Sequence, residues 1–147
     1  MPKNVLIPTD GTELSAKAAA YGIALAKQLG AKVTAVTVTT PAEAILIGEG
    51  VVVSNPAAYE ENADKSAKAT LGVVSKLAAD AGVACETIHA RDEQPWHGIL
   101  EAGKAKGADL IVIASHGRRG LAALVMGSQT QKVASHSTIP VLIYRSS

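Results

Sequence analysis

The chain opens with a strand, a turn and a helix in residues 4–30, which read NVLIPTDGTELSAKAAAYGIALAKQLG. The apolar, β-branched start of this stretch predicts a buried strand over residues 4–9. Asp10 and Gly11 are turn residues, and the helix that follows is predicted to end at Gly30. The helical period is carried by Leu14, Ala18, Tyr21, Leu25 and Leu29. This stretch therefore predicts the first strand and helix of a βαβ unit.

The alternation of short apolar strands with longer helical segments continues along the rest of the chain. It predicts further strands over residues 32–39, 83–90, 110–114 and 139–144. It predicts further helices over residues 59–81, from Pro95 onward and from Ser128 onward. Five strands separated by four helices indicate an α/β fold, a single domain over residues 1–147 with helices on both faces of a parallel sheet.

Composition excludes several classes of protein. The chain has 147 residues, 48% hydrophobic and 18% charged, and no apolar run approaches the roughly 20 residues that span a bilayer. Lysine and arginine number 14 against 13 acidic residues, and aromatic residues make up 3%, so nucleic acid is not an expected partner. The single cysteine, Cys85, cannot form an internal disulfide. Because the N-terminus has no leader pattern, we expect a cytoplasmic protein.

Residues 41–56 form a connection that is long for a simple loop. The segment carries two apolar triplets, Ile45-Leu46-Ile47 and Val51-Val52-Val53. These triplets fit a short helix and turn, a lid over a binding site, or a surface for a partner. The sequence leaves all three alternatives open.

The loop after the fourth strand combines the features of a phosphate site. Gly117 and Gly127 would let backbone amides come close to an anion. Gly127 and Ser128 stand at a helix start, where unpaired N–H groups and the helix dipole favour negative charge. A second interpretation stays open, because Ser128-Gln129-Thr130-Gln131 fits the capping-box pattern, in which Ser128 caps the helix. The two interpretations are compatible.

Polar residues near the first turn also have a structural and a functional interpretation. The Asp10 carboxylate can bond to nearby amides in a turn, or it can accept hydrogen bonds from ribose hydroxyls where the strand order reverses. We favour the ligand role for Asp10. Thr12 and Ser15 are predicted to cap the first helix.

The usual catalytic signatures are missing from the sequence. There is no P-loop motif, no G-x-G-x-x-G after the first strand, no G-x-S-x-G, and no Cys and His spacing typical of a metal site. His116 is the one candidate for a base beside the proposed phosphates. Cys85 is predicted to be a small core residue, and Trp96 and His97 are predicted to pack at the surface. These observations favour a binding module over an efficient enzyme.

A resemblance to a known family rests on segments that span essentially the whole chain. The first is Ala114-Ser-His-Gly117, followed by nine residues and Gly127-Ser128. The second is Val5-Leu-Ile-Pro-Thr-Asp10-Gly-Thr-Glu-Leu-Ser15, and the others are the strands in residues 108–114 and 139–144. Together they resemble the universal stress protein family, whose nucleotide-binding signature reads G-x-x-G, nine residues, G-[S/T].

The resemblance implies a five-stranded parallel sheet of order 3-2-1-4-5 with ATP or AMP, with or without Mg²⁺, between strands one and four. The residues implied around adenine and ribose are Pro8, Thr9, Asp10 and Val38. Those implied around the phosphates are Gly117, Gly127, Ser128, Gln129 and Thr130, with Ala114 at the first motif position. The family has glycine at the position of Ala114. Alanine there should cost little free energy unless the backbone needs a positive φ.

The function implied is that of a nucleotide-binding regulatory protein of the stress response, with slow or no ATP hydrolysis. An alternative is a dimeric interaction protein of the same fold that does not bind nucleotide. A slow ATPase or self-phosphorylating protein would use the same pocket. A flavodoxin-like flavin protein fits the architecture alone, and few aromatic residues are present to stack on its ring.

A homodimer is expected through the C-terminal strand, Val141–Tyr144. In the implied strand order, strands three and five lie at the edges. Strand three carries Glu86 and His89, which disfavour pairing with another chain. Strand five is apolar and carries no charge before Arg145, so pairing two copies about a two-fold axis would satisfy its open edge.

Overall fold

The computed structural model describes residues 1–43, 55–117 and 126–145. Residues 44–54, which hold both apolar triplets of the 41–56 segment, lie outside the described residues, so its three alternatives are not tested. The elements, in chain order, are β1 (Asn4–Pro8), α1 (Glu13–Leu29), β2 (Lys32–Thr39), α2 (Pro56–Ala81), β3 (Cys85–Arg91), α3 (Pro95–Lys106), β4 (Leu110–Ala114), α4 (Ser128–His136) and β5 (Val141–Tyr144).

The strands described form one parallel sheet of five strands in the order β3-β2-β1-β4-β5. This confirms the α/β fold that the sequence pattern predicts and the strand order that the family resemblance implies. β1 lies at the centre, where Val5 pairs with Val33 of β2 on one side and with Leu110 of β4 on the other. The strand order reverses between β1 and β4, which makes their carboxyl ends the switch point of the sheet.

The core has one apolar cluster on each face of the sheet. Val5 and Ile7 of β1 face α1 and α2, whereas Leu6 faces α3 and α4. All three side chains are completely buried. Strands covered on both faces read as continuous apolar runs, which is why β1 is apolar without alternation. Within the described ranges, no helix is both long enough and apolar enough to cross a membrane.

The observed element boundaries differ from the predicted ones by a few residues. α2 begins at Pro56 rather than at residue 59, because the Asn55 side chain accepts a hydrogen bond from the Ala58 amide and Pro56 fits the first turn. β3 begins at Cys85 and β5 at Val141, each two residues later than predicted. β1 ends at Pro8, although the Thr9 amide still donates to the Val36 carbonyl at 2.9 Å.

The residues that carry the helical period of α1 do not all face the core. Tyr21 is 47% exposed and lies against Tyr144 of β5, with ring centroids 5.7 Å apart. Gly22 faces the sheet instead, and a Cβ atom there would lie 2.9 Å from Cδ1 of Ile7. The helix therefore packs close to the sheet through small residues, and the large tyrosine ring does not fit between them. The buried residues of α1 are Ser15, Ala18, Ala19, Gly22, Ile23 and Ala26.

Candidate functional site

The crevice is defined here as the space at the carboxyl ends of β1 and β4, bordered by Asp10, Gly117 and Gly127. Asp10 lies in the turn between β1 and α1, Gly117 follows β4 by three residues, and Gly127 immediately precedes α4. Ligands of open parallel sheets bind at such a switch point. The structure thus brings together the turn and the glycine loop that the sequence singles out.

The Asp10 carboxylate has a structural role through one of its oxygens. Oδ1 accepts hydrogen bonds from the Thr12 amide at 3.0 Å and the Thr12 hydroxyl at 2.6 Å. The Thr12 hydroxyl oxygen in turn accepts from the Ser15 amide at 3.2 Å, so Thr12 caps α1 as predicted. Ser15 lies inside the helix, where its hydroxyl donates to the Thr12 carbonyl. The turn interpretation of Asp10 is therefore correct for Oδ1.

The second oxygen of Asp10 faces the loop after β4. A Cβ atom on Gly117 would lie only 2.5 Å from Oδ2 of Asp10, closer than any real Cβ contact. Gly117 is exposed to solvent, so burial does not restrict the size of its side chain. The contact with Asp10 does. The missing side chain leaves the carboxylate and the backbone at 117 side by side at the crevice.

Gly127 lets the two ends of the loop meet. Its amide donates to the Ser115 carbonyl at 2.7 Å. A Cβ atom on Gly127 would lie 3.1 Å from Cα of His116, so a larger residue would push the chain segments apart. The φ angle of Gly127 is −64°, which any residue can adopt. Space, and not backbone freedom, requires glycine here.

The N-terminus of α4 has no side-chain cap in the described part of the chain. Gly127 is the N-cap residue, and exposed Ser128 is the first helical residue, so the capping-box interpretation of Ser128 is wrong. The backbone places the extended residue one position earlier than the pattern predicts. α1 and α2 are capped by the side chains of Thr12 and Asn55, whereas the N-cap residue of α3, Gln94, makes no such bond. First-turn amides without a capping side chain favour an anion nearby.

Two residues that the resemblance assigns to the phosphates have side chains with other contacts. Oε1 of Gln129 accepts a hydrogen bond from the Trp96 amide of α3 at 3.0 Å. The buried Thr130 hydroxyl donates to the Ala114 carbonyl at 2.8 Å. Gln129 and Thr130 can therefore offer the crevice their backbone amides, while Ser128 can offer both an amide and an exposed hydroxyl.

Ala114 fits its position without strain. It is the last residue of β4, pairs with Tyr144 and is buried. Among the described residues, every positive φ belongs to a glycine, so Ala114 has a backbone that any residue can adopt. The departure from the family's first glycine therefore leaves the strand end intact.

The residues expected around adenine and ribose lie at the ends of β1 and β2. Pro8 and Thr9 are buried, and Oγ1 of Thr9 lies 3.2 Å from Oγ of Ser15. Val38 is half-buried, and Gly98 of α3 lies against it: a Cβ atom on Gly98 would be 3.1 Å from both Val38 methyl groups. Sequence reasoning missed this contact.

The first turn of α3 is therefore part of the site's surroundings. Its sequence signal is the helix start at Pro95 followed by Trp96, His97 and Gly98. The local sequence pattern predicts only surface packing for Trp96 and His97, because a helical period does not report which loop a helix end approaches. His97 does lie at the surface, where its Nδ1 is 2.6 Å from Oδ2 of Asp92. The hydrogen bond to Asp92 raises the pKa of His97.

An edge cluster of four ionisable residues joins α2 to β3: Glu60, Asp64, His89 and Arg91. Nε of Arg91 donates to Oε2 of Glu60 at 2.9 Å, and the same guanidinium also donates to Asp64. Nδ1 of His89 lies 3.1 Å from Oδ1 of Asp64, and its Nε2 lies 2.7 Å from Oγ1 of Thr39. The cluster thus connects the end of β2 with α2.

The edge cluster also holds the residues that follow β2. Oε1 of Glu60 accepts from the Ala42 amide at 3.0 Å, and the Tyr59 hydroxyl donates to the Thr40 carbonyl at 2.8 Å. The hydrogen bond from Arg91, with that from Ala42, lowers the pKa of Glu60. Glu60 is therefore stabilised as a carboxylate that links three parts of the chain.

Cys85 packs against the core, and the acidic residues of the described ranges do not form a metal-binding group. Cys85 is half-buried against the core, and burial raises the pKa of its thiol, which agrees with the predicted packing role. No group of three or more His, Cys, Asp or Glu residues in those ranges lies close enough together to hold a metal ion.

Comparison with other proteins identifies relatives over the full length. A model of the universal stress protein family matches residues 1–145. Universal stress protein YxiE of Bacillus subtilis is 36% identical over 149 residues, which cover 99% of this chain and 100% of that protein. Universal stress protein MJ0531 of Methanocaldococcus jannaschii is 31% identical over 144 residues, 97% of this chain and 82% of that protein.

Solved structures share the fold. Hypothetical protein MJ0577 matches with a TM-score of 0.82 and 23% identity, over 99% of this chain and 96% of that one. A universal stress protein in complex with cAMP has a TM-score of 0.72 and 23% identity, over 99% of both chains. A family member from Arabidopsis thaliana with AMP bound has a TM-score of 0.69 and 15% sequence identity, over 99% of this chain and 93% of that one. The sheet order, the family match over residues 1–145 and the 36% identical relative lead to one conclusion: the chain belongs to the universal stress protein family.

Proposed function

We propose that this chain binds an adenine nucleotide, ATP or AMP, in the crevice and acts as a regulatory module of the cellular stress response. The observation that carries the proposal is the position of Asp10 beside Gly117, at the switch point of the sheet. The uncapped start of α4 borders the same space. The structures of family members with cAMP and with AMP support an adenine nucleotide as the ligand.

The described residues would bind such a ligand with backbone groups more than with side chains. Phosphate oxygens would accept hydrogen bonds from the amides of the first turn of α4 and from the Ser128 hydroxyl. Ribose hydroxyls would donate to Oδ2 of Asp10, whose other oxygen stays in the turn. Adenine would lie against Val38, at the end of β2. Mg²⁺ would be held by the phosphates of ATP and would not need a protein cage.

Hydrolysis is proposed to be slow or absent. Among the described residues, the groups that would surround the phosphates are amides and a hydroxyl, which bind an anion without activating water. His116 is the candidate base that the sequence offers, and its Nδ1 lies 3.3 Å from Oγ of Ser115, its neighbour in the chain. Phosphate contacts without a positioned base favour binding over turnover.

Calorimetric titration of the full chain with ATP and AMP, with and without Mg²⁺, tests the proposal. Gly117→Ala should weaken binding by roughly tenfold or more, since its Cβ would displace the Asp10 carboxylate. Gly72→Ala is the matched control: Gly72 is exposed in α2, nothing lies within 4 Å of the added Cβ, and affinity should not change. If the folded wild-type chain binds neither nucleotide, the proposal fails and the dimeric interaction protein takes its place.

The chain is also proposed to form a homodimer through β5. All four β5 side chains are half-buried on the sheet, and Leu142 and Ile143 pack against opposite core clusters. Among the described strands, β5 has a neighbour on one side only, so its outer backbone edge is the surface that a second copy could pair in antiparallel fashion.

A further inference from the structure

Trp96 contacts both ends of α4. Its backbone amide donates to Oε1 of Gln129 in the first turn, at 3.0 Å. Its ring stacks on His136, the last residue of α4, with centroids 4.3 Å apart and an interplanar angle of 27°. One residue of α3 therefore contacts α4 at its start and at its end.

The same turn of α3 also contacts the adenine side of the crevice. Gly98, two residues after Trp96, packs against the methyl groups of Val38. Just before the helix, the Asp92 amide donates to the Thr39 carbonyl at 3.1 Å. The segment over residues 92–98 thus contacts the end of β2 on one side and the first turn of α4 on the other.

Within the described residues, α4 is held by few other contacts. It is nine residues long, and its buried residues are Thr130 and Val133. Thr130 is bonded to the Ala114 carbonyl, and Val133 lies in the core cluster beneath α3. A short helix with two buried residues can shift by a fraction of an ångström when its N-terminal amides bind an anion. Any such shift changes the surroundings of Trp96, since Trp96 contacts both ends of the helix.

We propose that Gln129 and Trp96 are positioning residues: their hydrogen bond aims the α4 N-terminus into the crevice and transmits phosphate binding to α3. This inference rests on the proposed nucleotide binding. It gives Gln129 a different role from the one the family resemblance implies, because the Gln129 side chain acts through α3 and does not touch the phosphates.

The single tryptophan makes the coupling measurable, because all indole fluorescence of the full chain comes from Trp96. Titration with ATP should shift the emission of wild-type protein, with the same midpoint as the calorimetric titration. Gln129→Met keeps the length of the side chain and removes the acceptor. This variant should bind ATP roughly threefold to tenfold more weakly and lose most of the emission change at saturating ATP.

Two further variants separate positioning from simple stability. Gln129→Glu keeps an acceptor oxygen for the Trp96 amide, so its ligand-free emission should match that of wild type, whereas Gln129→Met should differ. Gln28→Met makes the same exchange at an exposed position of α1 and should leave affinity and emission unchanged.

The inference and the proposed function fail in different ways. Absence of calorimetric binding by wild type overturns the function, and the coupling with it. Binding without any change in Trp96 emission overturns the coupling alone, and this result needs no variant to fold. An unchanged affinity and emission change in folded Gln129→Met also overturns it.

Discussion

Oδ2 of Asp10 lies 2.5 Å from the position that a Cβ atom would take on Gly117. This relationship joins the turn after β1 to the loop after β4, the two segments that border the switch point. Since Oδ1 of the same carboxylate holds Thr12, one side chain both organises the start of α1 and faces the crevice. Substitutions can separate the two roles.

Asp10→Asn should weaken nucleotide binding by roughly tenfold while leaving the fold stable. The asparagine side chain keeps an oxygen that accepts the hydrogen bond from the Thr12 backbone N–H. It replaces the charged oxygen that would accept from the ribose hydroxyls with a neutral amide group. Asp10→Ala removes both functions and should also lower the free energy of unfolding by about 1 kcal/mol. Calorimetry and urea denaturation measure the two effects, and equal affinity in Asp10→Asn and wild type would contradict the ribose contact.

Ser128→Ala should reduce phosphate affinity without reducing stability. Ser128 is the first helical residue of α4 and does not cap it, so the free energy of unfolding should change by less than about 0.5 kcal/mol. Thr12→Ala is the comparison, because Thr12 does cap α1, and its loss should cost about 1 kcal/mol. A similar loss of stability in both variants would restore the capping interpretation of Ser128.

Acid should remove the contribution of Glu60 to stability. Its folded-state pKa is lowered, mainly by the hydrogen bond from Arg91, so the stabilisation is fully present above the ordinary value of 4.5. It is lost as pH falls through the lowered folded-state pKa. Wild type should therefore melt at a higher temperature than Glu60→Gln at pH 7, and the difference should shrink toward about pH 3. A difference that stays constant with pH would contradict this account.

Ile143→Pro should break the proposed dimer. The Ile111 amide donates to the Pro140 carbonyl and the Ser115 amide to the Tyr144 carbonyl, so by alternation the Ile143 amide points away from β4. Proline removes that outward donor, whereas Ile143→Ala shortens the side chain and keeps it. Sedimentation equilibrium should show a dimer for wild type and Ile143→Ala, and a 15.0 kDa monomer for Ile143→Pro. A wild-type monomer at micromolar concentration would rule the dimer out.

Phosphate release from ATP should be far slower than the roughly 10 per second typical of enzymes. The reason is the lack of a positioned base among the described groups of the crevice. His116→Ala should leave the rate unchanged within error. An ordinary enzymatic rate that disappears in His116→Ala would instead make the chain an ATPase.

The sequence by itself determined the order of the elements and which two loops meet at the switch point of the sheet. The apolar patterns of strands and helices depend on residues that are close together in the chain. For this reason β2 and β4 could be predicted at their observed boundaries. Thr12 was predicted as a cap for the same reason, since an N-cap bond reaches only three residues along the chain. The loops after β1 and β4 were predicted to lie together because parallel strands bring their carboxyl ends to one edge of the sheet.

Only the tertiary structure decided which surfaces meet. The rotation of α1, with Tyr21 outward and Gly22 over Ile7, depends on how closely the helix can approach the sheet. The bond from Trp96 to Gln129 joins residues 33 positions apart, and it forms because α3 and α4 pack side by side. The conformational preferences of neighbouring residues carry no information about contacts between residues that are far apart in the chain. Such contacts are set by the packing of whole helices against the sheet, which is decided by the complete set of side chains at once.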